Sequence, residues 1–161
     1  MKFRKISYNQ YSKDVGSDTE SIKKEWGDIR LPHRATKYSS GYDFYSPVDF
    51  TLEAGMEIKI PTGICIDLQW DKFLAIFPRS GLSFKYRAQL NNCVAIVDAD
   101  YSCSDNEGHI FLAIINDSRK GKILDIKKGD AIAQGVIIQY FKTEDDDCIV
   151  ARNGGIGSTG R

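Results

Sequence analysis

Two stretches of this sequence combine arginine, serine and glycine in a way that could grip a phosphate. Arg79-Ser80-Gly81 follows an apolar run and a proline, and the sequence closes on Arg152-Asn153-Gly154-Gly155-Ile156-Gly157-Ser158-Thr159-Gly160-Arg161. Glycines let backbone N–H groups approach an anion closely, hydroxyls add donors, and a guanidinium offers phosphate a planar fork. The tail also satisfies G-x-G-x-x-G and lies one residue from a P-loop, with Arg161 at the lysine position. Those loops work by opening a helix whose N-terminus holds the phosphates, and only Arg161 follows here. The expectation is instead a Gly-rich arm that folds over a phosphate-bearing ligand and supplies donors as it closes.

Three further segments carry polar groups suited to such a ligand. Ser40-Gly41-Tyr42-Asp43-Phe44-Tyr45-Ser46 places an acid in an aromatic setting. Asn92 precedes Val97-Asp98-Ala99-Asp100-Tyr101, where carboxylates end an apolar run. Lys128-Gly129-Asp130-Ala131-Ile132-Ala133-Gln134 turns into a strand with a glutamine. A carboxylate within reach of a water beside a phosphate is what a general base requires.

The elements that must position these residues read mainly as strands. Met56, Ile58 and Ile60 alternate with Glu57 and Lys59, and Ile64, Ile66 and Leu68 resume the period after Pro61-Thr62-Gly63. Runs 73–77, 110–115 and 133–138 have strand length, and Asp145-Asp146-Asp147 reads as a solvated loop before a final strand. Many short strands with turn punctuation predict an all-β closed or sandwiched domain. One amphipathic helix is expected at 18–27, from a Ser17/Glu20 capping box and Ile22, Trp26 and Ile29 on one face. A second is expected over Leu82–Arg87, with its N-terminus and the Ser80 hydroxyl facing an anion.

At 161 residues, 42% hydrophobic and 27% charged, the chain suits one soluble domain. Lys and Arg balance Asp and Glu at 22 each, so no bulk basic field points to nucleic acid. The start, Met1-Lys2-Phe3-Arg4-Lys5, lacks a signal-peptide core, and no segment has the length of a membrane span, which leads us to expect a cytoplasmic protein. Four scattered cysteines and two histidines argue against a zinc site.

In this order and at these spacings, the five polar segments closely resemble the five motifs of the trimeric dUTPase family, from about Leu31 to Arg161. The resemblance implies a jelly-roll β-barrel with one or two short helices. It also implies a homotrimer sharing three active sites, and hydrolysis of dUTP to dUMP and pyrophosphate with Mg2+ held mainly by the substrate's phosphates. One domain would cover 1–161, with residues 1–30 adding a strand and an inserted helix and 150–161 forming the arm. Asp98 matches the general base. Asn92 matches the side chain that reads uracil, on a hairpin that includes Ala95 and Val97. Tyr101 matches the tyrosine packed on deoxyribose where a 2′-hydroxyl would go. Arg79, Ser80 and Gly81 match the phosphate motif, Ser80 among the catalytic set, and Gln134 matches a second phosphate contact. Arg152, Gly157, Ser158 and Thr159 match the arm's phosphate grip, and Ile156 its uracil cover. Asp43 matches the first motif's acid, as a water or metal positioner or as a turn residue.

The sequence departs from the family pattern in several places. The arm's arginine is expected three residues before the Gly-Gly pair, where Ala151 stands; Arg152 is one residue later. Ile156 replaces a phenylalanine and forgoes stacking worth ~1 kcal/mol in aromatic pairs. Ala95 replaces a glycine of the uracil hairpin and Ala131 an arginine of the fourth motif. Residues 102–108 form a longer connection, read as a surface loop near the site. A related dCTP deaminase would need a glutamate where Ala113 falls. A non-catalytic or regulatory dUTP-binding protein is the remaining alternative. The N-terminal helix is expected either to pack on the barrel or to contact a partner.

Overall fold

Period-two alternation of apolar side chains builds most of the chain into short antiparallel strands, and the computed structural model describes residues 1–150, 152 and 154. The order is β1 (Lys2–Lys5), α1 (Tyr8–Val15), α2 (Glu20–Asp28), β2 (His33–Arg34), β3 (Tyr42–Tyr45) and β4 (Phe50–Leu52). It continues with β5 (Glu57–Pro61), β6 (Ile64–Asp67), β7 (Lys72–Pro78), α3 (Ser80–Tyr86), β8 (Ala88–Leu90) and β9 (Ala95–Val97). A 3-10 helix (Ala99–Cys103), β10 (Phe111–Asn116), β11 (Leu124–Ile126) and β12 (Ala131–Gln139) complete it. The largest sheet runs β2-β3-β12-β7-β9, a second runs β5-β10-β8, and the pairs β1-β6 and β4-β11 close the sides. This is the all-β, jelly-roll-like architecture expected from the sequence. Leu74 and Ile76 of β7, Phe44 of β3 and Leu112 of β10 meet in the core with at most 1% exposure, each burial contributing ~1.5–3 kcal/mol. Among the described residues no helix is long and apolar enough to cross a membrane.

The N-terminal region holds two helices rather than one. The helix expected at 18–27 is α2, starting at Glu20, and its cap is Thr19, whose Oγ1 accepts the Ile22 N–H at 3.3 Å. Ser17 is not a cap: its N–H closes the end of α1 on Ser12 O, with Gly16 in the left-handed conformation at φ 74°. α1 carries its own cap, Ser7 Oγ accepting the Gln10 N–H at 3.1 Å. Its apolar contribution comes from Tyr11, fully buried because its hydroxyl donates to Glu25 of α2 at 2.5 Å. A tyrosine satisfied by a partner helix is a weak sequence signal, so α1 has little local signature. The pair packs on the barrel, with Trp26 Nε1 donating to Ile6 O at 3.0 Å.

Two other expectations need correction. Residues 102–108 are not a free surface loop: Ser104, Gly108 and the adjoining His109 are buried. No strand follows Asp145–Asp147 among the described residues; 140–150 run as turns and irregular chain, with Asp146 accepting from Lys142 and from Cys148 N.

Candidate active site

The polar segments gather at two places in the barrel. At one, β3, β12 and β7 lie side by side with Asp43, Gln134 and Phe77 in a single cross-strand row. Arg79 follows the end of β7 and reaches back across that row, its Nη1 donating to Asp43 Oδ2 at 2.5 Å. Asp43 is therefore a strand residue rather than a turn residue. Its side chain is 13% exposed against 37% for Arg79, so the carboxylate anchors while the guanidinium faces outward. Gly41 makes room for Gln134: a Cβ at 41 would stand 2.8 Å from Gln134 Oε1. Ser80 and Gly81 open α3 beside Arg79 and are exposed. Ala131 sits at the start of β12, next to a register shift between Ala131 and Ala133.

At the other place lies the corner between β8 and β9. β8 pairs with β10 and β9 pairs with β7, so the arms of the expected hairpin belong to different sheets and splay apart. Cys93 takes a left-handed φ of 61° at the tip. A cavity of about 230 Å³ opens there, lined by Asn92, Ala95, Lys59, Phe111 and Ala113 among others. It has room for a base rather than a whole nucleotide. Val97 is core, 7% exposed and paired with Leu74, so its side chain faces away from this cavity's lining.

Asp98 leaves β9 as the N-cap of the 3-10 helix, with about half of its side chain exposed. Arg152 has come to it: Nη2 donates to Asp98 Oδ2 at 2.5 Å and Nε to Asp100 Oδ1 at 2.9 Å. The same guanidinium lies 5.7 Å from the Tyr101 ring centroid, and Ser104 Oγ donates to Gly154 O at 3.0 Å. Asp98, Asp100 and Arg152 border a cavity of about 740 Å³ whose apolar wall is Trp70, Phe73, Ile96, Tyr140 and Val150. Tyr101 is 8% exposed and donates its hydroxyl to His109 O at 2.8 Å. Burial raises its phenol pKa, against the opposing effects of Asn106 and Arg152. Ile156, Gly157, Ser158 and Thr159 lie outside the described residues.

The two places do not meet within one chain. Asp98 stands one residue past the Val97–Leu74 pair, while Asp43 shares the row of Phe77 on the far side of β12. At ~3.3 Å per residue and ~4.8 Å per strand, that is ~13 Å along the sheet and ~14 Å across it, beyond the reach of the Arg79 side chain. Lys59 and the His109–Asp14 contact have no local signature in the sequence, because they depend on partners remote along the chain.

The dUTPase family model matches residues 27–160. The chain belongs to the dUTPase family. A deoxyuridine 5'-triphosphate nucleotidohydrolase of Lactococcus lactis is 35% identical over 136 residues, spanning 82% of this chain and 89% of that one. The crystal structure of a Streptococcus mutans dUTPase superposes with a TM-score of 0.68 at 27% identity, covering 89% and 99% of the two chains. A dUTPase of S. aureus phage phi11, in which coordination of a structural Mg(II) ion is described, superposes at 0.61 and 22% identity over 76% and 91%. The family-model match begins at residue 27, near the end of α2.

Proposed function

We propose that this chain hydrolyses dUTP to dUMP and pyrophosphate, with Asp98 as the base. What carries the reading is the continuity of β9 with its flanks. The base-sized cavity at Asn92 and Ala95, the exposed Asp98 carboxylate and Tyr101 follow one another within ten residues. Uracil enters the splayed corner, where backbone groups and the Asn92 amide read its edge. Tyr101 packs against deoxyribose where a 2′-hydroxyl would have to stand. Asp98 accepts a proton from a water that attacks the α-phosphorus in line; the new P–O bond forms as the bond to the β-phosphate oxygen breaks, and pyrophosphate leaves. Ala113 presents a methyl group to the base cavity, which supports hydrolysis over deamination.

Arg79, steadied by Asp43, and Gln134 bind phosphate, but not for the Asp98 of their own chain. The distances across the sheet favour a homotrimer in which one copy supplies the base corner and another the phosphate row. The arm's Arg152, Gly157, Ser158 and Thr159 add donors, and Ile156 covers uracil. Among the described residues no three acidic, His or Cys side chains cluster to hold a metal, which fits Mg2+ carried in on the triphosphate. Asp43 is the carboxylate in the phosphate row, placed to face such an ion through water. When bound, Mg2+ neutralises triphosphate charge. We place the activity in the cytoplasm, where it would clear dUTP and supply dUMP for dTMP synthesis.

Pyrophosphate release from dUTP, with and without Mg2+, tests the reading. Wild type should turn over dUTP in preference to dCTP, dTTP and UTP, and Asp98→Asn should lose ~10²–10⁴-fold in kcat while still binding. Tight dUTP binding without turnover in wild type would favour the regulatory binding protein instead.

A further inference from the structure

Helix α1 and the segment that follows Tyr101 are in contact. Ser7, the cap of α1, gives both its backbone N–H and its hydroxyl to Glu107, at 2.7 and 2.6 Å. At the other end of α1, Asp14 Oδ2 lies 2.6 Å from Nδ1 of His109, which is fully buried. His109 Nε2 accepts the Gly63 N–H at 2.8 Å, so its ring hydrogen is on Nδ1 and is donated to Asp14. From His109 the connection passes directly to the site: its carbonyl accepts the Tyr101 hydroxyl at 2.8 Å, and Asn106 Nδ2 donates to the Tyr101 hydroxyl oxygen at 3.0 Å. Tyr101 N in turn donates to Asp98 O at 3.1 Å. The turn between them is close-packed, since a Cβ on Gly108 would stand 2.7 Å from Ser102 Cα.

We propose that Asp14 and Glu107 are positioning residues for deoxyribose selection: the two ends of α1 clamp the 98–109 turn at Glu107 and His109 and thereby fix the Tyr101 ring against the sugar. This rests on the reading of Tyr101 as the deoxyribose platform. The physical argument is one of compliance. A tyrosine excludes a hydroxyl-sized group only if it cannot give way, and the turn that carries Tyr101 has no strand or α-helix between Cys103 and Phe111 and holds a left-handed Glu107 at φ 58°. Left to itself such a turn would yield; two hydrogen-bonded carboxylate contacts to a helix make it stiff. His109 is the link, locked in one tautomer between Gly63 and Asp14.

The test compares kcat/KM for dUTP and UTP in wild type, Asp14→Ala, Asp14→Asn, Glu107→Ala and Tyr101→Ala, each checked for assembly. Asp14→Ala and Glu107→Ala should each lower the dUTP-to-UTP preference at least fivefold, chiefly by admitting UTP. Asp14→Asn should restore it, because the amide oxygen still accepts from Nδ1. If Asp14→Ala does not fold, Glu107→Ala, at the solvent-facing end, reads the same quantity. Lowered thermal stability with an unchanged preference in these variants would overturn the proposal. Tyr101→Ala separates the two readings. If it leaves the preference intact, the platform reading fails; if it abolishes the preference while Asp14→Ala and Glu107→Ala do not alter it, the clamp fails.

Discussion

Arg152 donates to Asp98 at 2.5 Å, so the arm's arginine rests on the carboxylate that would activate water. The same guanidinium also donates to Asp100 at 2.9 Å, so Arg152 joins both carboxylates of the 98–100 stretch. Substrate must exchange this contact for one to its own charge. The Asp98 side chain is about half exposed and that of Arg152 14% exposed, so the pair is only partly screened and breaking the contact costs about 1 kcal/mol. A hydrogen bond from arginine to phosphate contributes ~1.5–3 kcal/mol, and that term dominates. Arg152→Ala should therefore lower kcat/KM for dUTP about tenfold or more. A rise, measured by steady-state pyrophosphate release, would mean that restraint of Asp98 is the larger role.

The Asp43–Arg79 pair is asymmetric, and its two halves should fail differently. Arg79→Ala strands a carboxylate that is 13% exposed, and an unpaired buried charge costs ~3 kcal/mol or more. Asp43→Asn leaves a guanidinium that water reaches, and should cost nearer ~1 kcal/mol. Both should reduce kcat/KM for dUTP at least tenfold, Arg79→Ala by losing the phosphate contact and Asp43→Asn by releasing its aim. Denaturant unfolding beside kinetics checks the ordering; equal destabilisation would contradict the burial argument.

Two glycines separate stability from function in the same way. At Gly108, φ is 70° and a Cβ would press on backbone atoms of Ser102 and Tyr101 that cannot swing aside. Gly108→Ala should destabilise by ~1–3 kcal/mol. At Gly41 the nearest atom is the end of the Gln134 side chain, which can move. Gly41→Ala should leave the unfolding midpoint nearly unchanged while raising KM for dUTP, because the glutamine leaves the phosphate row.

Elements with a local signature were legible in the sequence. β5, β6, β7, β10 and β12 follow from alternation and apolar runs, and Arg79-Ser80-Gly81, Asn92 and Asp98 from motif order. What escaped reading depends on pairings remote in sequence. Arg79 finds Asp43 36 residues away, Glu107 finds Ser7 100 residues away, and His109 finds Asp14 95 residues away. The splay of β8 from β9 is likewise a property of which sheets they join, and no residue between Ala88 and Val97 announces it. The Ser17/Glu20 capping pattern misled because Gly16 ends a helix one residue earlier, a competing signal carried by one left-handed glycine.

The buried imidazole of His109 gives stability a pH dependence whose sign follows from its environment. Burial is the largest influence and lowers its pKa below 6.5; Asp14 and Glu107 oppose this and Lys59 adds to it. The rings of Tyr11 and Phe111 pack on it at 6.1 and 4.2 Å between centroids and offer no solvation to a cation. Protonation would also place an N–H on Nε2, against the Gly63 N–H that it now accepts. The unfolded chain therefore binds this proton more readily than the folded one. The contribution is fully present above pH 6.5 and is lost as pH falls from there through the folded value. Thermal unfolding between pH 8 and pH 5 should show the midpoint falling below about pH 6.5, and Asp14→Ala should steepen the fall by removing the carboxylate that tolerates the cation. A midpoint that rises on acidification would show that the Asp14–His109 pair is held as an ion pair.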